Sequence, residues 1–221
     1  MRMIASFYKH DEVRFVSHLD MQRLFQRAFR RANLPLEYSK GFNPHPLLSF
    51  ATALSVGYTS DGEYFDVQLS EDMMPDEFAS RVNDVLPKGI RIVDAVDAGD
   101  FKTSLTPLMR SAAYEVEMNF NRGISLDELN SILATLMSGE INVMKRTKGG
   151  IKPVDIRPML IGIENCGVDG SKAHMLVHGK LTAEGGLPLE LLLGTICERL
   201  GVTADYRVNR KNIEMDWTVI G

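Results

Sequence analysis

SHLDMQRLFQRAFRRANLPLEYSKGFNPHPLLS, residues 17 to 49, decides how the rest of the chain is read. Ser17 offers a hydroxyl to cap a helix. Asp20, three residues on, supplies the acid of a short-armed capping box at the positive end of the helix dipole. Leu24, Phe25, Ala28, Phe29 and Ala32 recur at helical spacing and mark a core-facing stripe. Arg23, Arg27, Arg30 and Arg31 fall on the other side. Asn33 and Pro35 end the helix, which is expected over His18 to Asn33. Tyr38-Ser39-Lys40-Gly41-Phe42-Asn43-Pro44-His45-Pro46 follows, a dense run of turn-forming and ring residues.

Strand patterns flank this stretch. Residues 2–9 alternate, 13–16 look extended, and 47–54 (LLSFATAL) read as a buried strand. Gly57 and a Ser60-Asp61-Gly62 turn lead to an alternating strand at 63–69. A helix is expected over 75–86, opened by Pro75, and a strand over 90–96. The order β-α-β-β-α-β within the first 98 residues is that of the ferredoxin-like split βαβ arrangement. Residues 99–111 read as a linker.

The order then recurs: a strand at 113–120 and a helix opened by a Ser125/Glu128 capping box. Strand-like segments at 141–146 and 152–163 surround a Lys148-Gly149-Gly150 turn. A strand at 174–181, a helix over 188–200 closed by Gly201 and a strand at 204–209 complete it. The expected fold is α+β, two tandem ferredoxin-like (βαββαβ) domains at 1–98 and 112–221, the second with an extra strand.

Composition narrows the function classes. The chain has 221 residues, 44% hydrophobic and 24% charged, with net charge −4, so a polyanion-binding surface would need local segregation of charge. No apolar run reaches the roughly 18 residues of a membrane span, and no signal peptide is visible. A cytoplasmic protein with no membrane partner is expected. Cys166 and Cys197 stand alone, without metal-ligand spacing, and read as reduced thiols. No metal and no cofactor is expected.

SHLDMQRLFQRAFRRANLPLEYSKGFNPHPLLSFA, LSVGYTSDGEYFDVQL and KPVDIRPML together resemble the radical SAM-linked proteins, a bacterial domain family of unknown function. The resemblance implies a radical SAM protein as partner, beside which or fused to whose C-terminus the domain occurs. This chain lacks the CxxxCxxC motif that holds the iron–sulfur cluster of such an enzyme. A fainter resemblance is to the CRISPR repeat-processing endoribonucleases, which also pair ferredoxin-like domains. They usually carry a glycine-rich loop near the C-terminus, where this chain reads EMDWTVIG.

Three constellations carry candidate chemistry. Arg23, Arg27, Arg30 and Arg31 suit bidentate phosphate contacts, or form a solvated face. In the loop, Tyr38 and Phe42 offer rings for base stacking, and Lys40, Asn43 and His45 offer polar contacts. The structural alternative has Phe42 plugging the core and His45 capping a strand. Lys145, Arg146, Lys148 and Lys152 form a basic hairpin able to follow a phosphate backbone, or a charged edge that blocks aggregation. Arg207, Arg210 and Lys211 add a third basic patch. His18 and His45 are the candidate acid/base pair. The expected function is a non-catalytic RNA- or substrate-binding accessory module working with a radical SAM partner. The rivals are a protein–protein adaptor and a metal-independent endoribonuclease.

Overall fold

Helix α1 (His18–Arg31) starts where the sequence places its cap. Ser17 is extended, and its Oγ accepts the Asp20 amide at 3.2 Å while donating to the Asp20 carboxylate at 2.7 Å. The helix ends at Ala32. Asn33 turns left-handed (φ 49°), which lets the Leu34 amide reach back to the Phe29 carbonyl. Arg81 of α2 (Pro75–Asn83) donates to the Ala32 carbonyl at 2.7 Å and to that of Asn33. The free carbonyls at the end of α1 are thus satisfied from a second helix.

The computed structural model describes residues 1–147 and 150–220. It is a mixed α+β fold with a large, mostly antiparallel sheet and, among the described residues, four α-helices. The chain forms two compact units, Met1–Met109 with Arg210–Gly221, and Arg110–Asn209.

In the first unit β1 (Arg2–Lys9) runs antiparallel between β3 (Thr59–Gln68) and β4 (Ile90–Asp97). The short β2 (Leu48–Phe50) also pairs with β3, as does β11 (Ala204–Met215). Met3, Ala5, Phe7, Phe65, Val67 and Ile92 point from one face of this sheet toward α1 and α2. Phe7, Phe25, Phe29, Phe65 and Phe78 are each at most 2% exposed, and their neighbouring centroids lie 5.0–6.5 Å apart. Each buried ring contributes about 2–3 kcal/mol, and the tilted pairs add to that.

The second unit runs through β5 (Met109–Phe120), α3 (Leu126–Ser138), β6 (Asn142–Thr147), β7 (Gly150–Asp155), β8 (Leu160–Asp169), β9 (Lys172–Thr182), β10 (Gly185–Gly186) and α4 (Leu189–Leu200). β9 pairs with β5, β8 and β10, and β5 neighbours β11. β6 and β7 form a separate two-stranded sheet. The Ser125/Glu128 capping box is present, and Gly201, at φ 63°, closes α4.

Several expectations are corrected. Residues 13–16 are not extended: Asp11–Phe15 is a 3-10 turn, entered through a positive φ at Asp11. The buried strand over 47–54 shrinks to β2, whose residues are half-buried or exposed. Ser60-Asp61-Gly62 is no turn but lies inside β3, where Ser60 pairs with Lys9 and its hydroxyl donates to the Arg210 carbonyl. Tertiary pairing overrides the local turn preference there. The expected linker buries Leu105, Leu108 and Met109, and the last strand returns the chain to the first unit. The extra strand of the second half is a hairpin, and Lys148 and Gly149 lie outside the described residues.

Candidate functional site

The basic face of α1 is exposed as the helical spacing requires. Arg23 pairs with Asp20 at 3.1 Å in an i,i+3 contact open to solvent. The Asp20 carboxyl is held below the usual carboxylate range, first by the Ser17 hydroxyl and then by Arg23. Arg27, Arg30 and Arg31 are exposed and form no ion pair among the described residues. Guanidinium groups are weakly hydrated, and three of them without an ion pair among the described residues share one helix, Arg27 adding its charge to those that lower the Asp20 carboxyl.

The loop that follows is closed at its base. Tyr38 bridges to Pro46, the Ser39 amide donates to the His45 carbonyl, and the His45 amide donates to Ser39 Oγ. Ser39 Oγ lies 2.9 Å from His45 Nδ1. Gly41 has φ 146°, at the edge of the left-handed region that a side chain resists. Phe42 does not plug the core: it is 106% exposed, fully in solvent, and Lys40, Gly41 and Asn43 around it in the chain are also exposed. Tyr38 is 41% exposed. A phenyl ring left in water forgoes about 2–3 kcal/mol of burial.

The two candidate histidines are engaged separately. His18 Nε2 lies 3.3 Å from Gln22 Nε2, and its ring stands edge-on to Phe50. His45 belongs to the loop base. They do not hydrogen-bond each other.

In the second unit the basic hairpin pairs Lys145 directly with Lys152, and Arg146 with Ile151. Lys145 is half-buried, while Arg146 and Lys152 are exposed. Like charges directly opposite on a hairpin destabilise it, and an anion laid between them would relieve the cost.

Sequence reasoning missed a buried charge cluster. Glu63 of β3 accepts both carboxylate contacts from Arg210 Nη1, at 2.9 and 3.0 Å, with each side chain about 5–6% exposed. Arg210 is thus not part of a surface patch, and its neighbour Lys211 pairs with Asp61 at 2.8 Å. Lys9 is 3% exposed and donates to the carbonyls of Arg14 and Val16. Burial pushes its ammonium down from the usual lysine range, opposed by the charge of Glu63. Lys9, Glu63, Ser17 and His18 line a cavity of about 20 Å³, room for one water. A second pair, Arg2–Asp66 at 3.0 Å, ties β1 to β3, and Arg2 also donates to the carbonyls of Phe101 and Thr103. One signal was available: Glu63 shares its strand face with Phe65 and Val67, so alternation alone carries it inward.

The sequence pattern of one bacterial family matches residues 2–186, which include α1, the loop and the hairpin. The chain belongs to DUF2344, described as an uncharacterized protein conserved in bacteria. The DUF2344 match ends before Arg210, so the cation of the buried pair lies outside it. No curated protein matches the sequence. Among solved structures, the fold is similar to a chain of a Cbf5–Nop10–Gar1 complex at 12% identity and TM-score 0.60, covering 96% of this chain and 48% of that one. A chain from an H/ACA RNP bound to a substrate RNA containing 2'-deoxyuridine matches at 11% identity and TM-score 0.54, covering 94% and 46%. A chain of the archaeal box H/ACA sRNP Nop10–Cbf5 complex matches at 13% and 0.52, covering 94% and 46%. The chain thus spans about half the length of these relatives, and the likeness is one of fold.

Proposed function

We propose that this member of DUF2344 is an accessory module that binds RNA through α1 and the Ser39–His45 loop, and that it serves a radical SAM partner in the cytoplasm. The observation that carries the reading is Phe42, fully exposed at the tip of a loop whose base is closed. Lys40 and Asn43 flank that ring, and the same unit presents three arginines without ion pairs. Rings supply stacking for any base, and guanidinium groups supply phosphate contacts. The hairpin with its opposed lysines offers further phosphate contacts. The assignment of the partner rests on the family resemblance of SHLDMQRLFQRAFRRANLPLEYSKGFNPHPLLSFA, LSVGYTSDGEYFDVQL and KPVDIRPML together. Strand order supports reading the fold as two ferredoxin-like units: β4-β1-β3 with β2 on β3, and β11-β5-β9 with β8 on β9. Two of the similar solved chains come from H/ACA RNP structures, one of them bound to a substrate RNA, which is in keeping with an RNA ligand.

The test is retention of bulk cellular RNA by the purified protein at two salt concentrations. With four phosphate contacts, affinity for single-stranded RNA falls roughly 50-fold between 50 and 200 mM salt. Arg27→Ala/Arg30→Ala/Arg31→Ala lowers the salt slope by about 2, and Phe42→Ala weakens binding roughly tenfold without changing that slope. Absent or salt-insensitive binding by the wild-type protein overturns the reading. Co-purification of a radical SAM protein without RNA would favour the adaptor role instead.

A further inference from the structure

A second site lies on the sheet face of the first unit that turns away from the phenylalanine core. Tyr64 of β3, Ser6 of β1 and Asp94 of β4 stand in one row across three strands, since Ser6 pairs with both of the others. Ile4 and Val96 stand in the next row. The placement of Asp94 depends on an irregularity: β1 pairs Phe7 with Ile92 but Ser6 with Asp94, so Val93 is an extra residue. That bulge reverses the inward–outward alternation of β4. Ala95 packs on the core, and Asp94 and Val96 move to the opposite face.

Ser6 is the small residue of its row, and a hollow of about 330 Å³ opens there. That is the lower end of the size range of small-molecule sites, roughly 300–1,000 Å³. Trp217 stands edge-on to Tyr64 at 5.9 Å, and Phe101 adds a third aromatic wall. Asp94 and Asp97 line the same hollow. Each spends one oxygen on a backbone amide, of Ala95 and Gly99 respectively, and neither forms an ion pair among the described residues. Among the described residues, no lysine or arginine lines it. Arg2, which stacks on Phe101 at 5.4 Å, is already paired with Asp66. The Tyr64 hydroxyl titrates above the usual tyrosine range, first through burial and then through the negative charges of Asp94 and Glu63.

We propose that this hollow binds a small organic cation of the alkyl- or quaternary-ammonium class, with Tyr64, Trp217 and Phe101 taking its apolar body and Asp94 and Asp97 its charge. Aromatic faces attract a weakly hydrated cation, and the carboxylates repel an anion of the same shape. An inorganic cation would find two carboxylates here, and no group of three or more metal-ligating His, Cys, Asp or Glu side chains occurs among the described residues. The inference does not depend on RNA binding at α1.

Trp217 is the single tryptophan of the chain, so its fluorescence reports on this hollow alone. The wild-type protein is titrated with benzyltrimethylammonium and with neopentylbenzene, its uncharged carbon isostere. The cation is expected to give a saturable change at concentrations roughly tenfold below those the isostere needs. Asp94→Asn/Asp97→Asn replaces two exposed carboxylates by amides of the same shape. It is expected to remove that advantage and leave the isostere unaffected. Ser6→Leu fills the floor and is expected to weaken both probes. No saturable response to the cation, equal binding of cation and isostere by the wild type, or an advantage that persists in the double-asparagine variant overturns the proposal.

Discussion

Glu63 shares a strand face with Phe65, Val67 and Leu69, so β3 carries its carboxylate into the interior whatever partner waits there. Arg210 meets it with two contacts at 2.9 and 3.0 Å. Removing one partner of such a pair leaves a buried charge exposed to apolar surroundings, at a cost of about 3–5 kcal/mol. Arg210→Ala is therefore expected to lower the urea midpoint strongly. Glu63→Leu/Arg210→Met is expected to recover much of the loss, because it removes both charges. A loss below about 1 kcal/mol for Arg210→Ala would mean that the pair is solvated. Lys9 adds a dependence on pH. Its folded-state ammonium releases its proton more readily than the unfolded lysine, whose value is 10.5, chiefly because of burial. The unfolded chain thus binds the more protons just below 10.5, and stability contributed by Lys9 rises as pH rises through that interval. Lys9→Met is expected to flatten the rise, read as unfolding free energy against pH. That Glu63 faces inward was legible from alternation. That Lys9 and Arg210 answer it was not, because nothing local relates them.

Among the elements, α1 was the most legible. Its cap and the helical spacing of its apolar and basic residues follow from positions within four residues of one another, while the structure adds Met21 to the buried stripe and ends the helix at Arg31, with Ala32 as cap. The capping box of α3 and the glycine stop of α4 were read for the same reason. The failures fall where distant partners decide. Ser60-Asp61-Gly62 carries strong turn signals, yet β1 on one side and the Arg210 carbonyl on the other hold it as strand. Pairing between helices was also invisible: Arg81 of α2 donates to the Ala32 carbonyl at 2.7 Å and to that of Asn33. Arg81→Ala is expected to cost about 1.5–3 kcal/mol in denaturant unfolding, the range for hydrogen bonds to a charged group. Arg81→Lys is expected to recover only part of it, since an ammonium lacks the planar fork that reaches two carbonyls.

At the scale of the whole molecule, the boundary of the first unit lies elsewhere than the pattern of elements suggests. β1, α1, β2, β3, α2 and β4 end at Asp97, but the unit takes in Met109 and the returning Arg210–Gly221 segment. That segment supplies the partner of Glu63 and buries Ile213 and Met215. A chain truncated after Asn209 is expected to exchange its β3 amides roughly 100-fold faster, the equivalent of about 3 kcal/mol. Amides of α3 and β9 in the second unit are expected to change little. Unaltered protection of β3 would show that residues 1–109 suffice.

The sequence by itself determined the features whose causes are local: the capped basic helix, the stiffened Tyr38–Pro46 connection, the α+β class and the membership in DUF2344. Only the tertiary structure decided which of these features face water and which charges meet. Phe42 could have been core by composition, and it stands in solvent because the Ser39–His45 contacts close the loop behind it. Glu63 and Arg210, 147 positions apart, find each other because β3 and β11 are neighbours in the sheet. Local sequence sets dihedral preferences and capping. Exposure and long-range charge pairing depend on which strands become neighbours, and that is a property of the assembled chain.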